Sequence, residues 1–230
     1  MKYISVAVDG PAGSGKSTIT KMVAKDLGYN YVDTGAMYRA LTYNFLKNNL
    51  TELNEVKIDL LLNKVKFEVK FIDRVQYVFV NDEDVSEKIR TAEVSKFTSL
   101  FAKSPAVREF LIDTQRNLAM SNNIIMDGRD IASVVLPNAD VKIFLTASVE
   151  ERARRRVLDF ERQGVVDIDF DKVKADIAAR DYQDENRDIA PLVKVDDAVL
   201  IDTTNLTITE VVEKMTELIE KFNSNENNDL

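Results

Sequence analysis

At 230 residues, 45% apolar and 30% charged, the chain has the size and make-up of one globular domain, or of one domain carrying an inserted lobe. Its 31 Lys and Arg against 39 Asp and Glu leave a formal net charge of −8, which argues against a non-specific nucleic-acid binder. Cysteine and histidine are both absent, which excludes disulfides, thiolate or imidazole metal sites and Ser-His or Cys-His nucleophiles. Chemistry is left to carboxylates, Lys, Arg, hydroxyls, backbone N–H groups and an oxygen-ligated cation such as Mg²⁺.

Residues 3–8 are rich in β-branched side chains and stop at Asp9-Gly10-Pro11, the pattern of a buried parallel strand. This run is too short for a secretory signal, and no apolar stretch approaches the ~18 residues of a membrane span, so a cytoplasmic protein is expected. A helix is predicted over 16–27 from Ile19, Met22, Val23 and Leu27 at helical spacing, with Gly28 at its end. Tyr31 and Val32 form a short strand ending at Asp33, and a helical pattern resumes from Ala36 through Leu46. Residues 66–71 and 75–80 alternate polar and apolar side chains around Ile72-Asp73-Arg74, predicting an antiparallel hairpin. A further turn is expected over 81–84, and residues 63–86 read as a small inserted lobe. Strand-then-helix units recur at Ile124 to Met126, at Val141 to Leu145 before a helix from Ser148, and at Val199 to Ile201 before a helix from Thr207. That alternation predicts an α/β fold, a parallel sheet with helices on both faces. The polar residues 223–230 are expected to fray.

The strongest motif is Gly10-Pro11-Ala12-Gly13-Ser14-Gly15-Lys16-Ser17, followed by Thr18, between the first strand and the first helix. Its glycines let successive N–H groups face a phosphate, Lys16 supplies a mobile cation and the Ser17 hydroxyl suits Mg²⁺. This is a nucleoside-triphosphate site. A guanine-reading Asn-Lys-x-Asp is missing, because Asn63-Lys64 continues as Val65-Lys66. Arginine clusters instead: eight of the thirteen lie between Arg129 and Arg187. Arg152, Arg155 and Arg156 share one helix face with Arg154 to the side, and Arg180, Asp184 and Arg187 are spaced i, i+4, i+7 for another. Planar guanidinium forks suit phosphate oxygens, and phosphoryl transfer needs charge stabilisation more than covalent chemistry. Asp127 closes an apolar strand, where it can serve either as a Mg²⁺-side carboxylate or as a helix cap.

Four segments together resemble the bacterial cytidylate kinases: Asp9 to Thr18, Asp33-Thr34-Gly35-Ala36-Met37-Tyr38-Arg39, Asp127-Gly128-Arg129-Asp130-Ile131, and the run from Arg180 to Leu192. The resemblance spans about residues 3 to 220. It implies a P-loop NTPase-type core over 1–33, 88–147 and 190–230. It also implies a monophosphate-binding region over 34–87, and a lid with arginine-rich helices over 148–189. It implies ATP as donor with Mg²⁺, CMP and dCMP as acceptors, and a monomer. By position, Lys16, Arg129, Arg152, Arg156 and Arg187 would act on the transferring group, and residues 10–18 would hold ATP. Thr34, Tyr38, Arg39, Arg129 and Arg187 would stand near the acceptor phosphate. Ser99, Arg108 and Asp130 would face the cytosine edge, and Arg180 and Asp184 the ribose. Mg²⁺ would meet Ser17 and, through water, Asp33 or Asp127, with Asp33 alternatively orienting an Arg. Thr34 stands where the family commonly has Ser, and Ala132-Ser133 where Gly-Thr is usual. The alternatives are another small-molecule kinase of the same fold and a nucleotide-binding switch that transfers nothing.

Overall fold

The computed structural model describes residues 3–162 and 164–228, with side chains described through residue 224. Met1, Lys2, Gln163, Asp229 and Leu230 lie outside the described residues. The elements in chain order begin with β1 (Ser5–Asp9), α1 (Lys16–Leu27), β2 (Asn30–Asp33), α2 (Thr34–Lys47) and α3 (Glu55–Leu62). Next come β3 (Phe67–Ile72), β4 (Val75–Val80), β5 (Glu83–Asp84), α4 (Ala92–Phe101), α5 (Pro105–Ser121) and β6 (Ile124–Gly128). The chain continues with β7 (Val141–Thr146), α6 (Val149–Arg162), α7 (Phe170–Glu185), β8 (Val199–Asp202) and α8 (Ile208–Asn228).

The fold is α/β as expected, with a five-stranded sheet in the order β2-β6-β1-β7-β8 and a three-stranded sheet β3-β4-β5. β1 pairs with β7 in parallel, Val6 opposite Val141 and Asp9 opposite Phe144, and β7 pairs with β8 in parallel from Ile143 opposite Val199. Val6, Ala7 and Val8 are fully buried, as are Ile125 and Met126 of β6, which is why these strands read as unbroken apolar runs. Among the described residues, no helix is long and apolar enough to cross a membrane. The tail expected to fray from Asn223 is instead helical to Asn228, the end of α8.

Two compact units divide the chain. The first takes Gly28–Ile124. There α2 lays Ala40 against Val78, Val80, Val85, Ile89 and Val94, so the small sheet is packed on a helix rather than left as a marginal hairpin. Asp73 and Arg74 carry φ of 50° and 64°, the two positive values a two-residue hairpin turn with the right twist requires. Asn81 and Asp82 repeat that geometry at 51° and 64°. The turn expected over 81–84 is therefore only these two residues. Glu83 and Asp84 form β5, paired with Val80 and Phe79. The helices α3, α4 and α5 complete this unit, with Phe45 and Phe101 meeting edge to face at 5.0 Å. The second unit takes Ile4–Leu27 and Ile125–Leu230 and holds the phosphate loop, β7, β8 and the arginine-rich helices.

Candidate active site

In the second unit the loop between β1 and α1 is shaped by glycines. Gly10, Gly13 and Gly15 have φ of 145°, 76° and 87°. A Cβ at Gly10 would stand 1.9 Å from the Leu145 carbonyl oxygen, so only glycine lets the loop leave β1 against β7. Ile19 N donates to Gly15 O at 3.0 Å, starting the helical ladder directly behind the loop. Lys16 is buried, and its Nζ donates to Gly10 O at 2.6 Å and Pro11 O at 2.7 Å. Burial, and then the charge of Arg129, hold this ammonium below its ordinary pKa against the pull of Asp127, Asp9 and Asp184.

Ser17 and Asp127 come together as the sequence allowed. Ser17 Oγ donates to Asp127 Oδ2 at 2.7 Å, and Asp127 lies buried within β6 rather than capping a helix. This is a hard-oxygen donor set of one hydroxyl and one carboxylate beside a phosphate loop, which fits Mg²⁺. Asp33, expected to orient either an Arg or a Mg²⁺-bound water, orients an Arg. Its Oδ1 accepts from Ala36 N at 2.9 Å, capping α2, and its Oδ2 accepts from Arg39 Nη2 at 2.9 Å.

The arginines fall into distinct roles. Arg129 donates through Nε to Asp184 Oδ2 at 2.8 Å and through Nη1 to Gly128 O at 3.2 Å. Burial holds the Arg180 guanidinium below its ordinary pKa, as do the charges of Arg129 and Arg156. Arg129 thus repels both Lys16 and Arg180, and like charges so arranged favour an anion among them. Arg152 differs: it is buried and forked onto Asp181, Nη1 to Oδ1 at 2.9 Å and Nη2 to Oδ2 at 2.6 Å. Its Nε donates to Ala147 O and its Nη1 to Ala12 O, so this residue ties helix α6 to the phosphate loop. Arg155 donates to Thr203 O at 2.7 Å and to Glu151 Oε1 at 3.0 Å. Arg156 is exposed, with its guanidinium 4.4 Å from the Phe160 ring centre.

Arg187 does not share a helix face with Arg180 and Asp184. Helix α7 ends at Glu185, where Asn186 caps it and donates Nδ2 to Tyr182 O at 2.8 Å. Arg187 lies beyond the helix end, where its Nε donates to Ala190 O at 2.5 Å and its Nη2 stands 3.6 Å from Asp130 Oδ1. Asp130 precedes a π-type turn over Ile131–Val135 and caps it with its backbone carbonyl, which accepts from Val134 N and Val135 N. Its carboxylate makes no capping bond to that turn. The Ala132-Ser133 departure costs no backbone strain here, because neither residue has positive φ.

In the first unit, Thr34 is the buried first residue of α2, and Tyr38 and Arg39 lie one turn further on, both partly buried. Ser99 is exposed near the end of α4, and Arg108 is buried in the first turns of α5, after the Ser104 cap and Pro105. Asp9 was not singled out on sequence. It is buried at the end of β1, accepting from Ile131 N at 2.8 Å and Ala132 N at 2.7 Å. A lone carboxylate closing an apolar strand was the available signal, and the neighbouring Gly-rich motif masked it.

The cytidylate kinase family profile matches residues 6–221. A cytidylate kinase of Caldicellulosiruptor bescii is 49% identical over 98% of this chain and 100% of its own. One of Streptococcus equi subsp. equi is 49% identical over 96% and 98%, and one of Geobacillus sp. (strain WCH70) is 50% identical over 94% and 96%. Among solved structures, a shikimate kinase from Bacteroides thetaiotaomicron aligns over 94% of this chain and 98% of its own at 15% identity, with a TM-score of only 0.49. The match along nearly the whole sequence, with an unbroken phosphate loop, places this chain in the cytidylate kinase family.

Proposed function

We propose that this chain transfers the γ-phosphoryl group of ATP to CMP and dCMP, giving CDP or dCDP and ADP. The observation that carries this reading is the buried Lys16 of a phosphate loop beside Arg129, which also faces Arg180, in a chain of this family. The acceptor phosphate is already an anion, so no general base is needed, in keeping with a chain that has no histidine. An acceptor oxygen forms the new bond to the γ-phosphorus as the bond to the bridging oxygen breaks, and that oxygen leaves on ADP. The difficulty is bringing two anions into line, which is a matter of positioning and charge stabilisation.

Residues 10–18 cradle the donor phosphates with loop N–H groups, and Lys16 turns its ammonium from the Gly10 and Pro11 carbonyls to the phosphate oxygens. Ser17 and, through water, Asp127 are the residues that would hold Mg²⁺, which would supply charge neutralisation to the donor phosphates. Arg129, Arg156, Arg180 and Arg187 neutralise the acceptor and the moving group. Arg152, held by its fork with Asp181, also fixes Ala12 of the loop and acts on the transferring group beside them.

Thr34, Tyr38, Arg39, Ser99, Arg108, Asp130 and Asp184 serve the acceptor. Cytosine presents an amino donor beside a ring acceptor, and a carboxylate such as Asp130 accepts from that amino group, whereas uracil would place a lone pair there. Residues 148–189 act as a lid that excludes water. The enzyme works as a monomer in the cytoplasm. Incubation with Mg·ATP and CMP, followed by phosphorus NMR, is expected to give CDP and ADP in equal amounts. Bound ATP with no CDP would return the nucleotide-switch reading, and a product from another acceptor alone would move the base assignment.

A further inference from the structure

β2 is the end strand in the order of the five-stranded sheet, and its last residue, Asp33, caps the start of α2. The outer side of an end strand has backbone N–H and C=O groups with no ladder to join. At Asp33 one side chain takes up both. Asp33 N donates to Gln76 Oε1 at 2.7 Å, and Gln76 Nε2 donates to Asp33 O at 3.3 Å. A primary amide carries an acceptor oxygen and a donor NH₂ side by side, so Gln76 of β4 stands in for a neighbouring strand at this residue.

The carboxylate of the same residue faces the helix. Oδ1 accepts from Ala36 N and Oδ2 from Arg39 Nη2, both at 2.9 Å. Arg39 also lies over Gly35, where a Cβ would stand 3.0 Å from its Nη1. Asp33 is thus held through its backbone, and through its side chain it holds the first turn of α2 and the Arg39 guanidinium. The small sheet stays docked without Gln76, because Val78 and Val80 of β4 are buried against Ala40 of α2. What the paired amide bonds add is a fixed φ and ψ at the residue where strand becomes helix.

We infer that Gln76 is a positioning residue for the acceptor phosphate: by gripping the Asp33 backbone from the small sheet, it sets the start of α2, and with it Thr34 and Arg39, for that phosphate. The inference rests on the proposed roles of Thr34 and Arg39 with CMP. It gives the small sheet a task at the phosphate end of the acceptor, the end that CMP and UMP share.

The test is steady-state kinetics of the wild type, Gln76→Met and Glu83→Gln with Mg·ATP and either CMP or UMP. Methionine keeps the length of glutamine and removes both hydrogen-bonding groups. We expect Gln76→Met to lower kcat/KM for CMP and for UMP by the same factor, about tenfold, with the KM for ATP within about twofold. Glu83 is the control, since it accepts from Lys47 and Lys88 and lies in the same small sheet. Glu83→Gln is expected to keep kcat/KM within about twofold of the wild type. An unchanged kcat/KM in Gln76→Met overturns the inference, as does an equal loss in Glu83→Gln, the mark of a general loosening of the sheet. A fall for CMP alone also overturns it, because Gln76 would then act on the base. A wild type that transfers nothing to CMP overturns the functional reading and this inference with it, whereas an active wild type beside an unaffected Gln76→Met overturns the inference alone. Gln76→Asn, which withdraws the amide by one methylene, replaces a Gln76→Met chain that does not fold, and the same outcomes decide. Amide hydrogen exchange on the wild type reads the grip directly: the Asp33 N–H is expected to be protected without CMP, and exchange at the rate of an exposed amide overturns the inference.

Discussion

Ser17 Oγ and Asp127 Oδ2 are 2.7 Å apart although 110 residues separate them in the chain. The hydroxyl comes from the first turn of α1 and the carboxylate from β6, so the core of the second unit joins the end of the phosphate loop to a buried acid. Removing either partner should weaken the response to Mg²⁺ more than the fold. For Ser17→Ala and Asp127→Asn we expect a fall in turnover of about 10²-fold at fixed Mg²⁺, partly recovered at higher Mg²⁺. Magnesium titrations that superimpose on the wild type would contradict the assignment.

Arg152 and Arg156 lie four residues apart on α6 and should separate stability from catalysis. Arg152→Ala leaves Asp181 and the Ala12 carbonyl without their donor, at a cost of about 2–4 kcal/mol after allowing for partial solvent access of Asp181. Arg156→Ala removes an exposed side chain stacked on Phe160, at a cost within about 1 kcal/mol, while lowering turnover. Thermal melts and kcat on the two variants check this, and equal melting temperatures would contradict it.

Gly10→Ala should be among the least tolerated substitutions in the loop. Its Cβ would meet backbone, the Leu145 carbonyl oxygen at 1.9 Å, and neither strand can move without breaking the β1–β7 ladder. We expect a loss well above 1 kcal/mol together with loss of ATP binding. Gly164→Ala, where nothing lies within 4 Å and only a φ of 79° opposes a side chain, should cost about 1 kcal/mol and leave ATP binding intact. Denaturant melts and nucleotide titrations on the pair provide the comparison.

Asp9 gives the stability curve a definite pH signature. Burial pushes its carboxyl from the ordinary 3.8 up to about 6, outweighing the two amide bonds that favour ionisation. The folded chain therefore holds this proton more tightly than the unfolded chain, and the contribution of Asp9 to stability falls as pH rises from about 4 to about 6. Above that window it is flat. Asp9→Asn abolishes the slope, so the melting temperature of the variant relative to the wild type should climb between pH 4 and 6 and then level off. A constant difference across that range would show that Asp9 titrates normally.

Much of this was legible in the sequence because local chemistry and tertiary position agree. The glycine-rich loop needs positive φ wherever it occurs, and α1 runs from Lys16 to Leu27 as its apolar spacing indicates. The hairpin at Asp73-Arg74 likewise follows from alternation alone. Misreadings arose where a residue's partner is distant or a cap intervenes. Spacing alone carried Arg187 onto a helix, but Asn186 ends α7 one residue earlier. Asp33, by contrast, reads as a carboxylate that orients an Arg because its partners Ala36 and Arg39 are only three and six residues away. The helices α4 and α5, which carry Ser99 and Arg108, have amphipathic patterns with no chemical motif to mark them. Asp9 depends on two N–H groups more than a hundred residues away, and no local pattern announces them.

The central claim is phosphoryl transfer to a cytosine monophosphate, and the most direct measurement is ADP release with Mg·ATP across CMP, dCMP, UMP, AMP and GMP. We expect CMP and dCMP to stimulate release strongly, with little ADP formed when no acceptor is present. Equal release with and without every monophosphate would contradict the claim and leave a nucleotide-binding protein that transfers nothing.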